Sequence, residues 1–140
     1  MDNLSSEQRS KTMAAVKSEG TKLERQFFEP LLERDFGAFE FHADDLTGKP
    51  DLVERSARIA IFLDSCFWHG CPEHLRMPES NRDYWEKKIG RNKRRDRKVT
   101  NELEEKGWLV KRIWGHSIKK ERARKWWITR IETLVDERTE

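Results

Sequence analysis

The middle of the chain contains the run Arg58-Ile59-Ala60-Ile61-Phe62-Leu63-Asp64, followed after Ser65 by Cys66-Phe67-Trp68-His69-Gly70-Cys71-Pro72-Glu73-His74. The first run is almost entirely apolar, which predicts a β-strand buried on both faces. The second brings two thiols and two imidazoles into one short loop. The segment Gly48-Lys49-Pro50-Asp51 places a carboxylate shortly before the strand. This order predicts an edge of a sheet at which metal ions support catalysis.

The length and composition of the chain fit one globular domain. A chain of 140 residues is long enough to enclose a modest core. Charged residues make up 39% of it, a fraction that alone would suggest disorder, but six Trp and seven Phe supply the apolar surface of a core. The sequence contains neither a signal-peptide pattern nor an apolar run of roughly 18 residues. We therefore expect a cytoplasmic protein that does not span a membrane.

Positive charge is concentrated between residues 82 and 98. This segment holds nine Lys or Arg residues against three acids, although the whole chain carries a net charge of only +3. Such an excess predicts a surface that faces the phosphates of a nucleic acid. It is also typical of a solvated helix with ion pairs four residues apart, such as Asp83 with Lys87. Charge alone leaves both interpretations open.

Periodicity predicts two helices and a hairpin in the first half of the chain. A short helix reaches about Lys17, and the capping box Thr21-x-x-Glu24 opens a second, amphipathic helix. Phe39 and Phe41 alternate with polar residues, which indicates a strand. The segment 51–54 then pairs with 58–64 through a tight turn at Arg55 and Ser56.

A long helix, a strand and a final helix are predicted for the second half. The long helix covers 81–106 and ends at Gly107, and a strand follows over 109–114. Ser117 is expected to cap the last helix, with Trp126 and Trp127 among its packing residues. The element order predicts a mixed α/β sheet flanked by helices. We divide the chain into an N-terminal arm, residues 1–20, and a single domain, residues 21–140.

The thiols and imidazoles have the spacing of a metal site. Cys66, Cys71 and His74 follow the pattern C-x4-C-x2-H, and His116 comes shortly after the strand that ends at Trp114. Two thiolates and two imidazoles suit a closed, structural zinc site. The alternative is that these are ordinary buried thiols and surface histidines. His69 remains as a candidate general base, or it replaces one of the two histidines and leaves an open, catalytic zinc.

The carboxylate of Asp51 is a candidate ligand for a hard cation such as Mg²⁺. In nucleases of the PD-(D/E)xK type, Pro-Asp on one strand is followed on the next by an acid and a Lys two residues apart. Pro50 and Asp51 fit the first half of this pattern. Phe62-Leu63-Asp64 stands where the second half would be and does not fit it.

Five motifs follow one another in this chain: Pro-Asp, the apolar strand, Cys-Phe-Trp-His-Gly-Cys, a basic Trp-containing helix and Gly-Trp-x-Val-x-x-x-Trp. This series resembles the very-short-patch-repair (Vsr) DNA mismatch endonuclease family, from about Arg9 to the final helix. The resemblance implies a restriction-endonuclease-like fold with a structural zinc. It also implies Mg²⁺-dependent nicking of double-stranded DNA on one strand, 5′ to the thymine of a T:G mismatch. A monomer is expected, because a single nick needs one active site.

The resemblance also assigns roles to individual residues. It implies that Asp51 binds Mg²⁺ together with the main-chain carbonyl of Leu63, that His69 is the general base, and that Glu24 orients His69. For Glu24, a role in the capping box is an equally good explanation. The zinc ligands would be Cys66, Cys71, His74 and His116. The wedge between base pairs would be Met13, on the N-terminal arm, with Phe67 and Trp68, and the candidate phosphate contacts are Arg91, Lys93, Arg94 and Arg97.

Asp64 departs from the family pattern, since it occupies a position held by His in the best-known relatives. We hypothesise that it binds a metal-bound water or a second Mg²⁺ beside Asp51.

Two rival functions remain at this point. One is a nicking nuclease for other mispairs or modified bases, and the other is a non-catalytic zinc module that binds distorted DNA. A zinc hydrolase of small molecules is a more distant alternative.

Overall fold

The computed structural model describes residues 3–65, 70–71 and 77–140. Its helices are α1 (Asn3–Glu19), α2 (Lys22–Glu33), α3 (Arg82–Glu105) and α4 (Glu121–Thr139), and its strands are β1 (Phe39–Phe41), β2 (Leu52–Glu54), β3 (Ile59–Asp64) and β4 (Leu109–Trp114). None of the helices within these ranges is both long and apolar enough to cross a membrane. The predicted element order, and with it the mixed α/β class, is confirmed.

The four strands form one sheet in the order β1-β2-β3-β4. The first two pairings are antiparallel, and β3 pairs with β4 in parallel. In this arrangement the carboxyl ends of β1, β3 and β4 meet the amino end of β2 at one end of the sheet. We call this the functional end, because it collects His42, Asp51, Asp64 and His116 from four separate stretches of sequence.

Helices cover both faces of the sheet. On one face, α1, α2 and α4 pack against alternate strand residues in a cluster that includes Phe27, Ile61 and Ile131, each fully buried. On the other face, α3 packs through Leu103 against Val53 and Ala60. A strand covered on both sides must be apolar throughout, which explains the unbroken sequence of β3.

Local sequence rules set several boundaries. The capping box at the start of α2 is present, with the Thr21 hydroxyl accepting from the Glu24 N–H and the Glu24 carboxylate accepting from the Thr21 N–H. At the end of α3, Gly107 takes a φ of 91°, and its N–H and that of Trp108 donate to carbonyls of the last helical turn. Helix α2 continues through Pro30 to Glu33.

The structure corrects three local predictions. The turn of the hairpin spans residues 55–58 instead of two residues. Ser117 lies inside a short 3₁₀ helix, Gly115–Ile118, which buries Ile118, and α4 begins only after Lys120. Trp126 is 60% exposed, because the core-facing stripe of α4 runs through Ile128, Ile131 and Leu134.

Helix α1 packs on the body of the domain. Val16 is fully buried in the main core, and Thr12, also buried, donates from its hydroxyl to the Phe39 carbonyl at 2.6 Å. The Gln8 amide donates to the same carbonyl at 3.2 Å. The boundary between an arm of residues 1–20 and a domain of residues 21–140 remains a prediction.

Candidate active site

A group of three side chains lies at the functional end of the sheet. Glu24, His42 and Asp51 each offer one ligand atom, and these atoms all lie within 4.8 Å of one another. Two carboxylates and an imidazole at this separation are a donor set that suits a divalent cation. The three residues therefore fit a cation site. The group includes Asp51, the residue that the sequence predicts as a metal ligand.

Glu24 reaches the group from the first turn of α2. Its Oε1 accepts the Thr21 N–H at 2.9 Å, while its Oε2 lies 3.2 Å from Nε2 of His42. One carboxylate thus caps the helix and faces the site at the same time. The two explanations for Glu24 in the sequence are compatible. Its predicted action on His69 remains a prediction, because His69 lies outside the described residues.

His42 joins the group from the end of β1. Its φ of 55° lies in the left-handed region, which turns the chain out of the strand. The main-chain N–H of His42 donates to the Asp51 carbonyl at 2.9 Å, and its ring stacks on Phe41 at a centroid distance of 3.6 Å. The sequence alone does not single out His42. The available sign was a histidine directly after a strand, but its relevance depends on the pairing of β1 with β2.

Asp51 is largely withdrawn from solvent at the start of β2. The pKa of Asp51 is raised to about 6, mainly because the carboxyl group is buried. The Leu63 N–H, which donates to Oδ2 at 2.7 Å, lowers the pKa and offsets part of this effect. The charge of Glu24 raises the pKa further, and His42 lowers it. Among the described residues, no Lys or Arg forms an ion pair with Asp51. Its charged form is therefore costly in the protein alone, and a bound cation would offset that cost.

Asp64, at the end of β3, has a different environment. Both of its oxygens accept from Nη1 of Arg112, at 3.1 and 3.2 Å, and the same guanidinium lies 4.1 Å from the centre of the Phe62 ring. Nε of Arg112 donates to the Thr100 hydroxyl of α3 at 2.8 Å. Phe62 and Asp64 thus both contact Arg112, but Asp64 does not belong to the group of Glu24, His42 and Asp51. Its proposed role beside a metal remains a hypothesis.

Part of the predicted zinc set also comes together. Sγ of the buried Cys71 lies 3.7 Å from Nδ1 of His116. A tetrahedral zinc with ordinary bond lengths would hold its sulfur and nitrogen ligands roughly 3.6 Å apart. Cys66 and His74 lie outside the described residues, so the four-ligand site remains a prediction.

The predicted DNA contacts that fall within the described residues lie on α3 and α1. Arg91, Lys93, Arg94 and Arg97 are all exposed. A shallow groove on α3 is lined by Arg91 and Arg94, and the stem of Lys93 lies against Gly70 of the Cys/His loop, where a Cβ would approach Lys93 Cδ to 2.8 Å. Met13 is partly buried against the core and lines an open groove between α1 and α2. Phe67 and Trp68 lie outside the described residues.

Comparison with known proteins identifies relatives along most of the chain. The family model described as "DNA mismatch endonuclease Vsr" matches residues 1–74. The DNA mismatch endonuclease Vsr of Escherichia coli K12 is 36% identical over 107 residues, covering 76% of this chain and 68% of the relative. Two proteins named type II nicking enzymes are also similar. V.HpaIIP of Haemophilus parainfluenzae is 39% identical over 86% of each chain, and V.NaeI of Lentzea aerocolonigenes is 38% identical over 77% of this chain and 68% of the relative.

Proposed function

Because the chain belongs to the DNA mismatch endonuclease Vsr family and is therefore a DNA endonuclease, we propose that it nicks one strand of a duplex 5′ to the thymine of a T:G mismatch, using Mg²⁺ and a histidine base. The single observation that carries this proposal is the group of Glu24, His42 and Asp51 at the functional end of the sheet. The loop that contains His69 leaves the sheet from that same end, directly after β3.

Asp51 is the residue we assign to the cation, together with the Leu63 main-chain carbonyl. The Leu63 N–H holds Oδ2 of Asp51 at 2.7 Å, which fixes the carboxylate relative to β3. When bound there, Mg²⁺ supplies positive charge that neutralises the scissile phosphate and stabilises the leaving 3′ oxygen. Glu24, on α2, places a carboxylate oxygen within 4.8 Å of the Asp51 carboxylate.

His69 is assigned as the general base. Its imidazole would accept a proton from the attacking water, a transfer that an imidazole can perform near neutral pH. This assignment rests on the Cys-Phe-Trp-His-Gly-Cys sequence and on the family. Glu24 would orient His69 by accepting a hydrogen bond from its ring. In this scheme Asp64 is an accessory residue next to the site, held by Arg112.

A structural zinc on Cys66, Cys71, His74 and His116 is proposed to fix the loop that carries His69. The separation of 3.7 Å between Cys71 Sγ and His116 Nδ1 supports it. His116 follows β4 directly, so such a site would tie the loop after β3 to the end of the neighbouring strand. The ligands also make the site closed, which favours a structural role over a catalytic one.

Recognition of the mismatch is assigned to a wedge of Met13, Phe67 and Trp68. Inserting apolar groups between base pairs costs a few kcal/mol per step, and less at a mispair, so the wedge favours the mismatched duplex. The exposed cations of α3 are proposed to contact phosphates, which positions the duplex without reading its sequence. One site per chain is sufficient for a nick, so we propose a monomer that works in the cytoplasm.

A nicking assay on end-labelled duplexes tests the proposal. The two duplexes differ only in one T:G versus T:A pair, and each is incubated with and without Mg²⁺. The proposal predicts a Mg²⁺-dependent nick on the thymine strand of the mismatched duplex alone. Equal cutting of both duplexes would retain the endonuclease and reject the T:G specificity. Cutting only at another mispair or a modified base would favour the rival target, and cutting without divalent cations would reject the role of Asp51.

A further inference from the structure

His42 is the member of the three-residue group that the family resemblance does not explain. Its main-chain N–H binds the Asp51 carbonyl at 2.9 Å, and its Nε2 lies 3.2 Å from Oε2 of Glu24. The residue is thus tied to both carboxylate-bearing residues of the site. Its ring cannot swing freely, since it stacks on Phe41 with an angle of 25° between the planes.

The position of His42 is not explained by core packing. Its side chain is 40% exposed, whereas the side chain of Glu24 is only 11% exposed. A left-handed φ is unfavourable at a residue other than glycine, so the local conformation alone does not favour this arrangement. The arrangement places a ring nitrogen of His42 within 4.8 Å of a carboxylate oxygen of both Glu24 and Asp51.

We infer that His42 is a ligand of the active-site cation, and that it biases this site towards Mn²⁺ over Mg²⁺. The inference rests on the proposed cation at Asp51 and adds a third donor to it. Nitrogen donors suit first-row transition ions. Mg²⁺, in contrast, prefers oxygen ligands and gives up its bound water reluctantly. Mn²⁺ accepts carboxylates and imidazole together. A site in which the His42 nitrogen joins the oxygens of Asp51 and Leu63 therefore binds Mn²⁺ more tightly relative to Mg²⁺ than a site of oxygens alone.

Metal binding in the absence of DNA tests this inference directly. The full-length, zinc-loaded protein is titrated with Mn²⁺ while free Mn²⁺ is followed by electron paramagnetic resonance, and Mg²⁺ is then used as competitor. The parent is expected to bind Mn²⁺ at least about tenfold more tightly than Mg²⁺, and His42→Gln to weaken Mn²⁺ by about tenfold or more. The same variant should change Mg²⁺ affinity by less than about threefold.

Two variants serve as controls in this titration. Glu40→Gln removes a charge from β1, the strand that leads into His42. Glu40 pairs with Arg55 and lies outside the three-residue group, so the ratio of Mn²⁺ to Mg²⁺ affinity should remain at the parental value. Asp51→Asn should abolish binding of both ions. If Asp51→Asn abolishes binding but His42→Gln leaves the Mn²⁺ to Mg²⁺ ratio within twofold of the parent, the cation site stands and the inference about His42 is wrong. If Asp51→Asn leaves binding intact, the proposed site itself fails.

Spectroscopy of the parent gives a second test that needs no substitution at His42. Electron spin echo modulation of the Mn²⁺-loaded protein should show coupling to a directly bound imidazole nitrogen, and Asp51→Asn should remove this signal. A Mn²⁺ ion that depends on Asp51 but shows no nitrogen coupling would overturn the assignment. That absence of nitrogen coupling is the result expected if His42 only holds Glu24 in place and does not bind the ion.

Discussion

Asp51 and Asp64 lie at the same end of one sheet and differ in what neutralises them. Arg112 donates to both oxygens of Asp64 and is fixed in turn by Thr100 of α3. Asp51 has a main-chain N–H, a second carboxylate and an imidazole around it. Among the described residues, Asp64 therefore has a permanent countercharge, whereas Asp51 forms no ion pair with a Lys or Arg. We therefore propose that Asp51, and not the well-paired Asp64, marks the site of chemistry.

The largest difference between the two carboxylates should appear in catalysis. Asp51→Asn removes the charge that we propose holds the cation. Since such a cation supplies several kcal/mol of transition-state stabilisation, nicking should fall by about a thousandfold or more. Binding of mismatched duplex in gel-shift titrations should remain near the parental value. An Asp51→Asn protein that nicks at the parental rate would show that the comparison assigns chemistry to the wrong residue.

Breaking the pair at Asp64 should instead damage stability. Arg112→Met leaves a carboxylate that is only 5% exposed without its main cation, and we expect unfolding free energy to fall by about 2–4 kcal/mol. Urea denaturation at neutral pH measures this change. The double variant Arg112→Met with Asp64→Leu should recover part of the loss, because the buried carboxylate of Asp64 is then removed. Asp96, whose Oδ1 lies 3.8 Å from Nη1 of Arg112, still loses that contact. A single variant as stable as the parent would show that the pair is energetically unimportant.

The same logic predicts that Asp51 destabilises the metal-free protein. Its pKa is raised from 3.8 to about 6 in the fold, so the native state holds the proton more firmly than the unfolded chain does. Stability due to this group is present at low pH and is lost as pH rises towards and through about 6. At pH 8, Asp51→Asn should therefore be more stable by about 1–3 kcal/mol in the absence of divalent ions.

Two conditions sharpen that prediction. Near pH 3.5 the parent and Asp51→Asn should unfold at similar urea concentrations, since Asp51 is then protonated in the folded protein and mostly protonated in the unfolded chain. Saturating Mg²⁺ at pH 8 should narrow or reverse the difference, because the ion binds only the folded parent. A parent protein more stable than Asp51→Asn at pH 8 without metal would contradict the electrostatic description of the site.

The smallest expected effect concerns the metal requirement at Asp64. Since Arg112 already occupies both oxygens, Asp64→Asn should change the Mg²⁺ concentration for half-maximal nicking by less than about twofold. Titration of nicking against Mg²⁺ decides the matter. A clear rise in the required Mg²⁺ would instead support the hypothesis that Asp64 binds a metal-bound water or a second Mg²⁺.

The sequence predicts what depends on local rules. The capping box at Thr21 and Glu24, the stop at Gly107 and the buried strand β3 follow from spacing and residue type, and the structure contains all three. The convergence of strand ends then follows from the sheet order. Asp51 could be chosen as a candidate because Pro-Asp precedes an apolar strand.

What the sequence misses depends on contacts between distant residues. His42 acquires its place through the pairing of β1 with β2 and through Glu24, 18 positions away. Arg112 meets Asp64 across 48 positions, and a basic residue in β4 gives no indication of this partner. Trp126 was expected to pack because it is large and apolar, but the helical stripe that faces the core passes beside it.

The most direct test of the account is the location of a bound ion. Crystals of the protein soaked with Mn²⁺ should give an anomalous difference peak at the carboxylate of Asp51, between Glu24 and His42, while the Asp64–Arg112 pair remains intact. A peak at Asp64 with Arg112 displaced, or the absence of any peak near Asp51 at saturating Mn²⁺, would contradict the claim that Asp51 is the carboxylate left for an external cation.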